Sequence, residues 1–282
     1  MKLTKIETGN FMLDGGALFG VVPKSLWNTV YPSNSDNLCN LSMRCLLIET
    51  DDRKILIDTG IGNKQDNNFF RHYYLNGNEN LHSSLSKSGY ALEDITDVIL
   101  THLHFDHCGG AIKLNLSGTT SLTFPNAIYW VSELQWKWAM MPNRREKASY
   151  LKENFIPIRD TNKLNLVSKE GPLFNNIEIR FFNGHSEGLM VPFIRYNNRI
   201  LVYVSDLIPT SAHLPEAWVC GYDTRPLVSM EERKNFYKEA LQKNYVLFFE
   251  HDINIECCTL KDTEKGTRLN ESFTLREFLD IK

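Results

Sequence analysis

The chain has 282 residues and a formal net charge of −3, with 42% hydrophobic and 23% charged residues. This composition is typical of a globular protein and excludes a disordered chain or a coiled coil. No Lys/Arg run could follow a phosphate backbone, and no apolar stretch reaches the roughly 20 residues that cross a bilayer. We therefore expect neither nucleic acid nor a membrane as a partner. The start lacks the apolar region of a secretory signal and the six cysteines form no CxxC pair, so we expect a cytoplasmic protein with reduced thiols.

The amino-terminal half alternates apolar runs with short polar turns. Residues 43–50 and 55–59 are rich in β-forming side chains, and the charged turn 51–54 between them predicts a hairpin. A helix is predicted near 79–88. A buried strand over 96–101 then runs into a histidine-rich turn.

The second half continues this alternation. Residues 127–131 predict a strand, and Ser132 is placed as the N-cap of an aromatic helix that Pro142 ends. The remaining predicted elements are strands at 177–182, 191–196, 199–205 and 245–249, a helix near 230–243 and a last amphipathic helix over 273–281. Blocks of strands with helices between and after them predict layered sheets covered by helices, and the chain 1–282 is interpreted as one domain.

Three of the eight histidines fall within the segment T-H-L-H-F-D-H, residues 101–107. Alternate side chains of an extended chain point the same way, so His102 and His104 can share one cation. Asp106 and His107, one turn further on, can face a second cation. Neutral imidazoles together with carboxylates suit Zn²⁺ and similar ions.

Three more candidate ligands each follow a β-rich run. His185 follows 177–182, Asp206 follows 199–205, and His251 follows 245–249. Seven such ligands are what a two-metal site needs, with one carboxylate as the bridge. Asp206 is the predicted bridge, because a carboxylate has two oxygens to offer to two cations.

These residues resemble the metallo-β-lactamase superfamily. The resemblance rests on the HxHxDH motif, the Gly184-His185-Ser186 turn, Asp206 after a serine, His251, and an early Asp58-Thr59-Gly60. It implies an αββα sandwich with two zinc ions at the sheet edges. One ion would take His102, His104 and His185, the other Asp106, His107 and His251, with Asp206 bridging and Asp58 orienting a ligand histidine.

A two-metal site of this kind is hydrolytic, since it lowers the pKa of a bridging water, which becomes a nucleophilic hydroxide near neutral pH, and polarises an incoming oxygen. The fold alone leaves the substrate open. A flavodiiron-type redox protein would carry Glu where His104 stands, a ribonuclease would want a basic groove, and secreted β-lactamases usually lack the aspartate at position 206. Lactonases and phosphotriester hydrolases remain, and a non-hydrolytic or redox metal protein stays the alternative from another class.

Within the superfamily the chain is most similar to the N-acyl-homoserine lactone lactonases, the quorum-quenching group. The resemblance lies in D-G-G-x-x-F-G-x-V-P-K, residues 14–24, and in S-D-L-I-P-T-S-A-H-L, residues 205–214. It implies a small lactone with an acyl tail as substrate. One departure matters: the tyrosine that contacts the lactone in these enzymes is absent from 207–209.

Large apolar residues near the predicted metal site suit an acyl tail. The segment 14–27 is expected to form part of the wall over the metals, and the candidate substrate contacts are Leu18, Phe19, Trp27, Met140 and Trp218. For these aromatic and aliphatic side chains a place in the core is the alternative. The predicted catalytic residues are Asp106, His213 and Tyr222. His213 or Tyr222 would replace the missing tyrosine, with His213 ranked first as proton donor and a purely structural loop histidine left open.

Overall fold

The computed structural model describes residues 1–280. The chain divides into two compact units. Unit 1 comprises Met1–Phe11 and Ser42–Lys169, and unit 2 comprises Met12–Leu41 and the chain from Glu170 onward.

The strands, in chain order, are β1 (Lys2–Asp14), β2 (Leu38–Glu49), β3 (Lys54–Ile57), β4 (Asp97–Ile99), β5 (Ile112–Leu114), β6 (Thr120–Leu122), β7 (Ile128–Ser132), β8 (Leu164–Val167), β9 (Gly171–Phe174), β10 (Ile177–Phe182), β11 (Leu189–Tyr196), β12 (Arg199–Tyr203), β13 (Val246–Phe248), β14 (Cys257–Lys261) and β15 (Arg268–Phe273). The α-helices are α1 (Gly15–Phe19), α2 (Lys24–Trp27), α3 (Asn67–Phe70), α4 (Leu81–Lys87), α5 (Phe105–Cys108), α6 (Glu133–Met140), α7 (Ile156–Asp160), α8 (Pro226–Gln242) and α9 (Leu275–Asp280).

Unit 1 contains a six-stranded sheet in the order β1-β2-β3-β4-β7-β8. The last residues of β1 and the first residues of β2 are assigned to unit 2. The predicted hairpin over 43–59 is present, with β2 antiparallel to β3 and Glu49 opposite Lys54. β3, β4, β7 and β8 run parallel to one another. The carboxyl ends of β3 and β4 therefore lie at the same edge of the sheet.

Unit 2 contains a seven-stranded sheet in the order β15-β14-β13-β12-β11-β10-β9. β11 is antiparallel to both β10 and β12, and β12 is parallel to β13. β10, β12 and β13 consequently run in one direction and end at one edge. This edge carries the residues that follow these three strands.

Local sequence explains where the helices begin. The Asn80 side chain accepts a hydrogen bond from the Ser83 N–H at 2.9 Å and starts α4. Ser132 caps α6 as predicted, since its hydroxyl accepts from the Gln135 N–H at 2.9 Å. The predicted helix near 230–243 is longer than expected and begins at Pro226, a residue type suited to the first helical turn.

Each unit has its own apolar core. Leu56, Val98 and Tyr129 from neighbouring strands are fully buried in unit 1. Leu189, Val202 and Leu247 form the equivalent layer in unit 2, where Phe236 of α8 packs on them. Burial of each such side chain contributes roughly 1.5–3 kcal/mol, so each sheet is stabilised within its own unit.

The mixed α/β architecture with two large sheets confirms the predicted fold class. The proposal of a single domain over 1–282 stays a prediction. Within residues 1–280, no helix is both long and apolar enough to span a bilayer. The predicted last helix corresponds to α9, and its final residue, Ile281, lies outside the described residues.

Candidate metal centre

The HxHxDH segment lies at the carboxyl end of β4 in unit 1. His102 and His104 precede α5, and Asp106 and His107 lie within it. All four residues are buried, with at most 9% of each residue's surface exposed. His102 Nε2 lies 3.0 Å from His104 Nδ1, and His107 Nε2 lies 3.8 Å from an Asp106 oxygen. Two pairs of potential ligand atoms therefore lie side by side.

Asp58 follows β3 and supports this segment. Its carboxylate accepts hydrogen bonds from the Thr101 N–H at 2.8 Å and from the Thr101 hydroxyl at 2.6 Å. His107 Nδ1 lies 3.0 Å from the same carboxylate. Because a carboxylate only accepts, Nδ1 carries the hydrogen and Nε2 of His107 is left for a cation.

The loop that carries Asp58 packs closely against α5. Asp58 itself has φ 58°, the left-handed region, which costs backbone energy that its three hydrogen bonds offset. A Cβ at Gly109 would lie 2.1 Å from the Ile61 carbonyl oxygen, and one at Gly110 would lie 2.1 Å from that of Thr59. Glycines at these two positions therefore allow the loop to reach the ligand segment.

The tautomers of His102 and His104 follow from their neighbours. The Thr101 hydroxyl donates to Asp58, so it accepts from His102 Nδ1 at 3.2 Å and leaves Nε2 for a cation. His104 Nε2 lies 3.4 Å from the buried carboxylate of Glu146, an ion-pair contact, whereas Nδ1 faces His102 Nε2 and is the candidate ligand atom. The two nitrogens left over are the same two that lie 3.0 Å apart.

Glu146 is a residue that the sequence analysis missed. It is 3% exposed and accepts hydrogen bonds from the Trp138 indole at 2.6 Å, the Asn143 amide at 2.7 Å and the Tyr150 hydroxyl at 3.2 Å. These donors hold the carboxylate in place against His104. No pattern in the sequence distinguished it from the surface glutamates nearby.

Aromatic side chains surround Phe105, which lies between the two halves of the motif. The ring of Tyr73 is 4.5 Å from that of Phe105, and the ring of Phe69 is 5.4 Å from it. Burial and the charge of Asp106 raise the pKa of Tyr73 to about 12, so its hydroxyl keeps its proton at neutral pH. Phe69, Tyr73 and Phe105, here called the aromatic cluster, were also missed from the sequence.

The unit 2 ligands come together at the shared edge of β10, β12 and β13. His185 Nε2 lies 3.1 Å from one oxygen of Asp206, and His251 Nε2 lies 3.2 Å from the other. All three residues are buried. Each oxygen of Asp206 therefore faces a different histidine.

Asp223 orients His185, and no sequence motif pointed to it. Its carboxylate lies 3.0 Å from His185 Nδ1, which leaves Nε2 directed at Asp206. Burial lowers the pKa of His185, but the charges and hydrogen bonds of Asp206 and Asp223 raise it more, to about 10. The imidazole thus lies in a strongly negative environment that favours a cation.

The donor set fits zinc ions. Neutral imidazoles whose second nitrogen is held by a carboxylate or hydroxyl, and carboxylates with two accessible oxygens, are the usual ligands of Zn²⁺. Both clusters show this arrangement within their own unit. The candidate ligands are His102, His104, Asp106 and His107 in unit 1, and His185, Asp206 and His251 in unit 2.

The predicted wall segment 14–27 forms α1 and α2 in unit 2. The Phe19 ring stacks on Trp27 with centroids 5.1 Å apart and on His213 with centroids 4.6 Å apart. Trp218 meets the edge of the same ring at 6.2 Å. Leu18, Phe19 and Trp27 are at most 2% exposed, so they pack chiefly against the protein itself.

His213 is fully buried and both of its ring nitrogens have partners. Nε2 donates to the Leu18 carbonyl at 3.0 Å, and Nδ1 accepts from the Thr210 hydroxyl at 2.8 Å. Burial lowers the pKa of His213 to about 4. This geometry favours the structural alternative that the sequence left open, a neutral histidine that ties α1 to the loop after Asp206.

The remaining candidate residues lie in different surroundings. Tyr222 is 39% exposed in unit 2. Met140 lies in unit 1, where it packs on the apolar core. Within unit 2 the structure groups Leu18, Phe19, Trp27, Trp218 and His213.

Comparison of the chain with known proteins identifies its superfamily. The chain matches the model of the metallo-β-lactamase superfamily over residues 44–255 and belongs to that superfamily, as a metal-dependent hydrolase. It is 31% identical to a probable metal-dependent hydrolase from Staphylococcus aureus, whose crystal structure superposes with a TM-score of 0.88 over 97% of this chain and 96% of that one.

Two further relatives are lactonases. The chain is 26% identical to an N-acyl homoserine lactonase from Bacillus cereus, over 90% of this chain and 94% of the relative. The structure of AidC, described as a dizinc quorum-quenching lactonase in complex with a product, is 24% identical, with a TM-score of 0.80 over 96% of this chain and 95% of that one. The suspected family resemblance is confirmed.

Proposed function

We propose that this chain is a di-zinc hydrolase that opens the lactone ring of N-acyl-homoserine lactones. The single observation that carries the proposal is the position of Asp206, which presents one oxygen to His185 and the other to His251. A carboxylate placed in this way is suited to bridge two cations. The lactonase relatives, which match along nearly the whole chain, favour the lactone as substrate.

The seven ligands divide between two ions as the family pattern implies. His102, His104 and His185 would hold one ion, Asp106, His107 and His251 would hold the other, and Asp206 would supply an oxygen to each. When bound, the two zinc ions supply a nucleophilic hydroxide at neutral pH and polarise the lactone carbonyl. Asp58 and Asp223 keep the imidazoles of His107 and His185 in the tautomer that binds metal.

The leaving alkoxide needs a proton, and Tyr222 suits this task better than His213. His213 would have to break two buried hydrogen bonds before it could donate outward, and its pKa of about 4 keeps it neutral. Tyr222 is partly exposed, so its hydroxyl can meet a bound molecule.

The acyl tail has two candidate contact groups. The Phe19 group, with Leu18, Trp27 and Trp218, is densely packed, and Phe19 stacks between two rings. The aromatic cluster is built around Phe105, which adjoins the ligands His104 and Asp106 in the chain. We expect the aromatic cluster to make the closer contact with the tail, because its members Phe69 and Tyr73 are only half-buried.

The substrate is tested by steady-state kinetics of the zinc-loaded protein with N-hexanoyl-homoserine lactone, a phosphotriester and an aryl ester. Lactone turnover with the highest kcat/KM supports the proposal, and a phosphotriester or ester preference would replace it. Metal analysis is the companion measurement, since about two zinc ions per chain are expected. Bound iron with a visible absorption band would instead favour a redox protein. A cytoplasmic location stays a prediction.

A further inference from the structure

Unit 1 contains a cavity of about 520 Å³ that none of the seven predicted ligands lines. Its volume falls in the range of sites for small molecules. Thr59 and Gly110 form one wall, and Thr59 donates from its hydroxyl to the His107 carbonyl at 2.8 Å. The cavity thus contacts the backbone that supports a ligand, and it is distinct from the ligand cluster.

The cavity has an apolar part that runs from buried to exposed side chains. Ile112 is fully buried, Leu92 is 9% exposed and Leu114 is 40% exposed. Leu81 of α4 is half-buried and completes this lining. An apolar chain that entered beside Leu114 would be covered by these side chains and gain by leaving water.

The formal charge of the cavity lining is positive. Lys113 is its only formally charged side chain among the described residues, and the exposed His82 adds a second nitrogen donor. A cationic group beside an apolar cleft is suited to an anionic head with an apolar tail.

We propose that this cavity binds a medium-chain carboxylate, with the chain along Leu81, Leu92 and Leu114 and the carboxylate paired with Lys113. The site is separate from the hydrolytic centre and does not depend on the reaction proposed for that centre.

Isothermal titration calorimetry of the zinc-loaded protein with octanoate, below its critical micelle concentration, tests the proposal. We expect Lys113→Glu to weaken octanoate binding about tenfold or more. Leu114→Ser, which removes apolar lining at a partly exposed position, should weaken it several-fold. Lys169→Glu is the matched control, because Lys169 is exposed in the same unit and does not line the cavity. Octanol should bind more weakly than octanoate.

Octanoate could also bind a metal, and Asp206→Asn separates the two sites. The proposal requires that Asp206→Asn leave octanoate affinity within about twofold of the wild-type value. Loss of octanoate binding in that variant would place the molecule at the metals and overturn the proposal. Absent binding to the wild-type protein, equal binding of octanol, or unchanged affinity in both cavity variants would overturn it as well.

Discussion

The two ligand clusters are built in opposite ways. In unit 1 the ligands His102, His104, Asp106 and His107 come from six consecutive positions after one strand. In unit 2 they come from three distant positions that share a sheet edge only because β10, β12 and β13 run in the same direction. The local sequence brings the ligands of the first cluster together, and the order and direction of the strands bring together those of the second.

Both clusters nevertheless depend on carboxylates that are remote in sequence. Asp58 precedes His107 by 49 positions, and Asp223 follows His185 by 38 positions. Asp58 holds His107 directly and His102 through the Thr101 hydroxyl, whereas Asp223 holds one histidine. The contiguous cluster is therefore the more rigidly held, and the variants below probe this difference.

Asp206→Asn should have the largest effect, because an amide has only one oxygen and cannot bridge as a carboxylate does. We expect zinc content to fall from about two ions per chain and activity to fall by orders of magnitude. Mass spectrometric metal analysis and lactone kinetics measure both. Asp262→Asn, an exposed aspartate of the same unit, is the control. Full zinc content in Asp206→Asn would show that Asp206 is not the bridge.

Asp58→Asn and Asp223→Asn compare the two supports directly. Each should lower zinc affinity by about 10–100-fold, because the neighbouring histidine is no longer held in the metal-binding tautomer. Asp58→Asn should be the more damaging, since Asp58 also holds both donors of the buried Thr101. Chelator competition gives the affinities and urea denaturation the free energy of unfolding. An equal or greater loss in Asp223→Asn would contradict the difference between the clusters.

Glu146→Gln tests whether unit 1 needs a second carboxylate. The variant keeps the side-chain shape but presents a weaker acceptor to His104 and to the donors of Trp138 and Asn143. We expect zinc affinity to fall by about tenfold. Glu133→Gln, on the exposed side of α6, provides the comparison. If the two variants bind zinc alike, Glu146 is a packing residue only.

His213→Gln should have the smallest effect on activity and a clear effect on how stability depends on pH. The pKa of His213 is about 4 in the folded protein and about 6.5 in the unfolded chain. Between these values the unfolded chain binds a proton that the folded protein does not, so stability falls as pH drops from 6.5 towards 4. The largest loss is roughly 3 kcal/mol.

Urea titrations of wild type and His213→Gln across this pH range measure the contribution of His213 to the free energy of unfolding, as the difference between the two proteins. The variant should show the shallower decline, and its kcat at pH 7 should stay near the wild-type value. A large drop in kcat with both zinc ions retained would restore His213 as the proton donor.

The sequence predicted much of the secondary structure because its signals are local. The hairpin of β2 and β3 follows from two apolar runs around a charged turn, and the start of α6 follows from the Ser132 cap. β1 was not predicted, although it has 13 residues, because its apolar and polar side chains show no clear alternation. β1 lies beside β2 because the two strands are hydrogen-bonded in the sheet, and this pairing is a property of the tertiary structure.

The amino-acid sequence by itself determined the class of chemistry, because ligand types and the spacing of His102 to His107 are properties of the local chain. Tertiary structure alone decided which groups orient those ligands. Glu146, Asp223 and the aromatic cluster occupy their positions through packing between segments that are distant in the sequence. It also decided that His213 is enclosed, since the Leu18 carbonyl that accepts from Nε2 and the Phe19 ring that stacks on the imidazole both come from α1. Only the Thr210 hydroxyl is a local partner. Hydrogen bonding and burial depend on three-dimensional neighbours, and a linear pattern does not contain them.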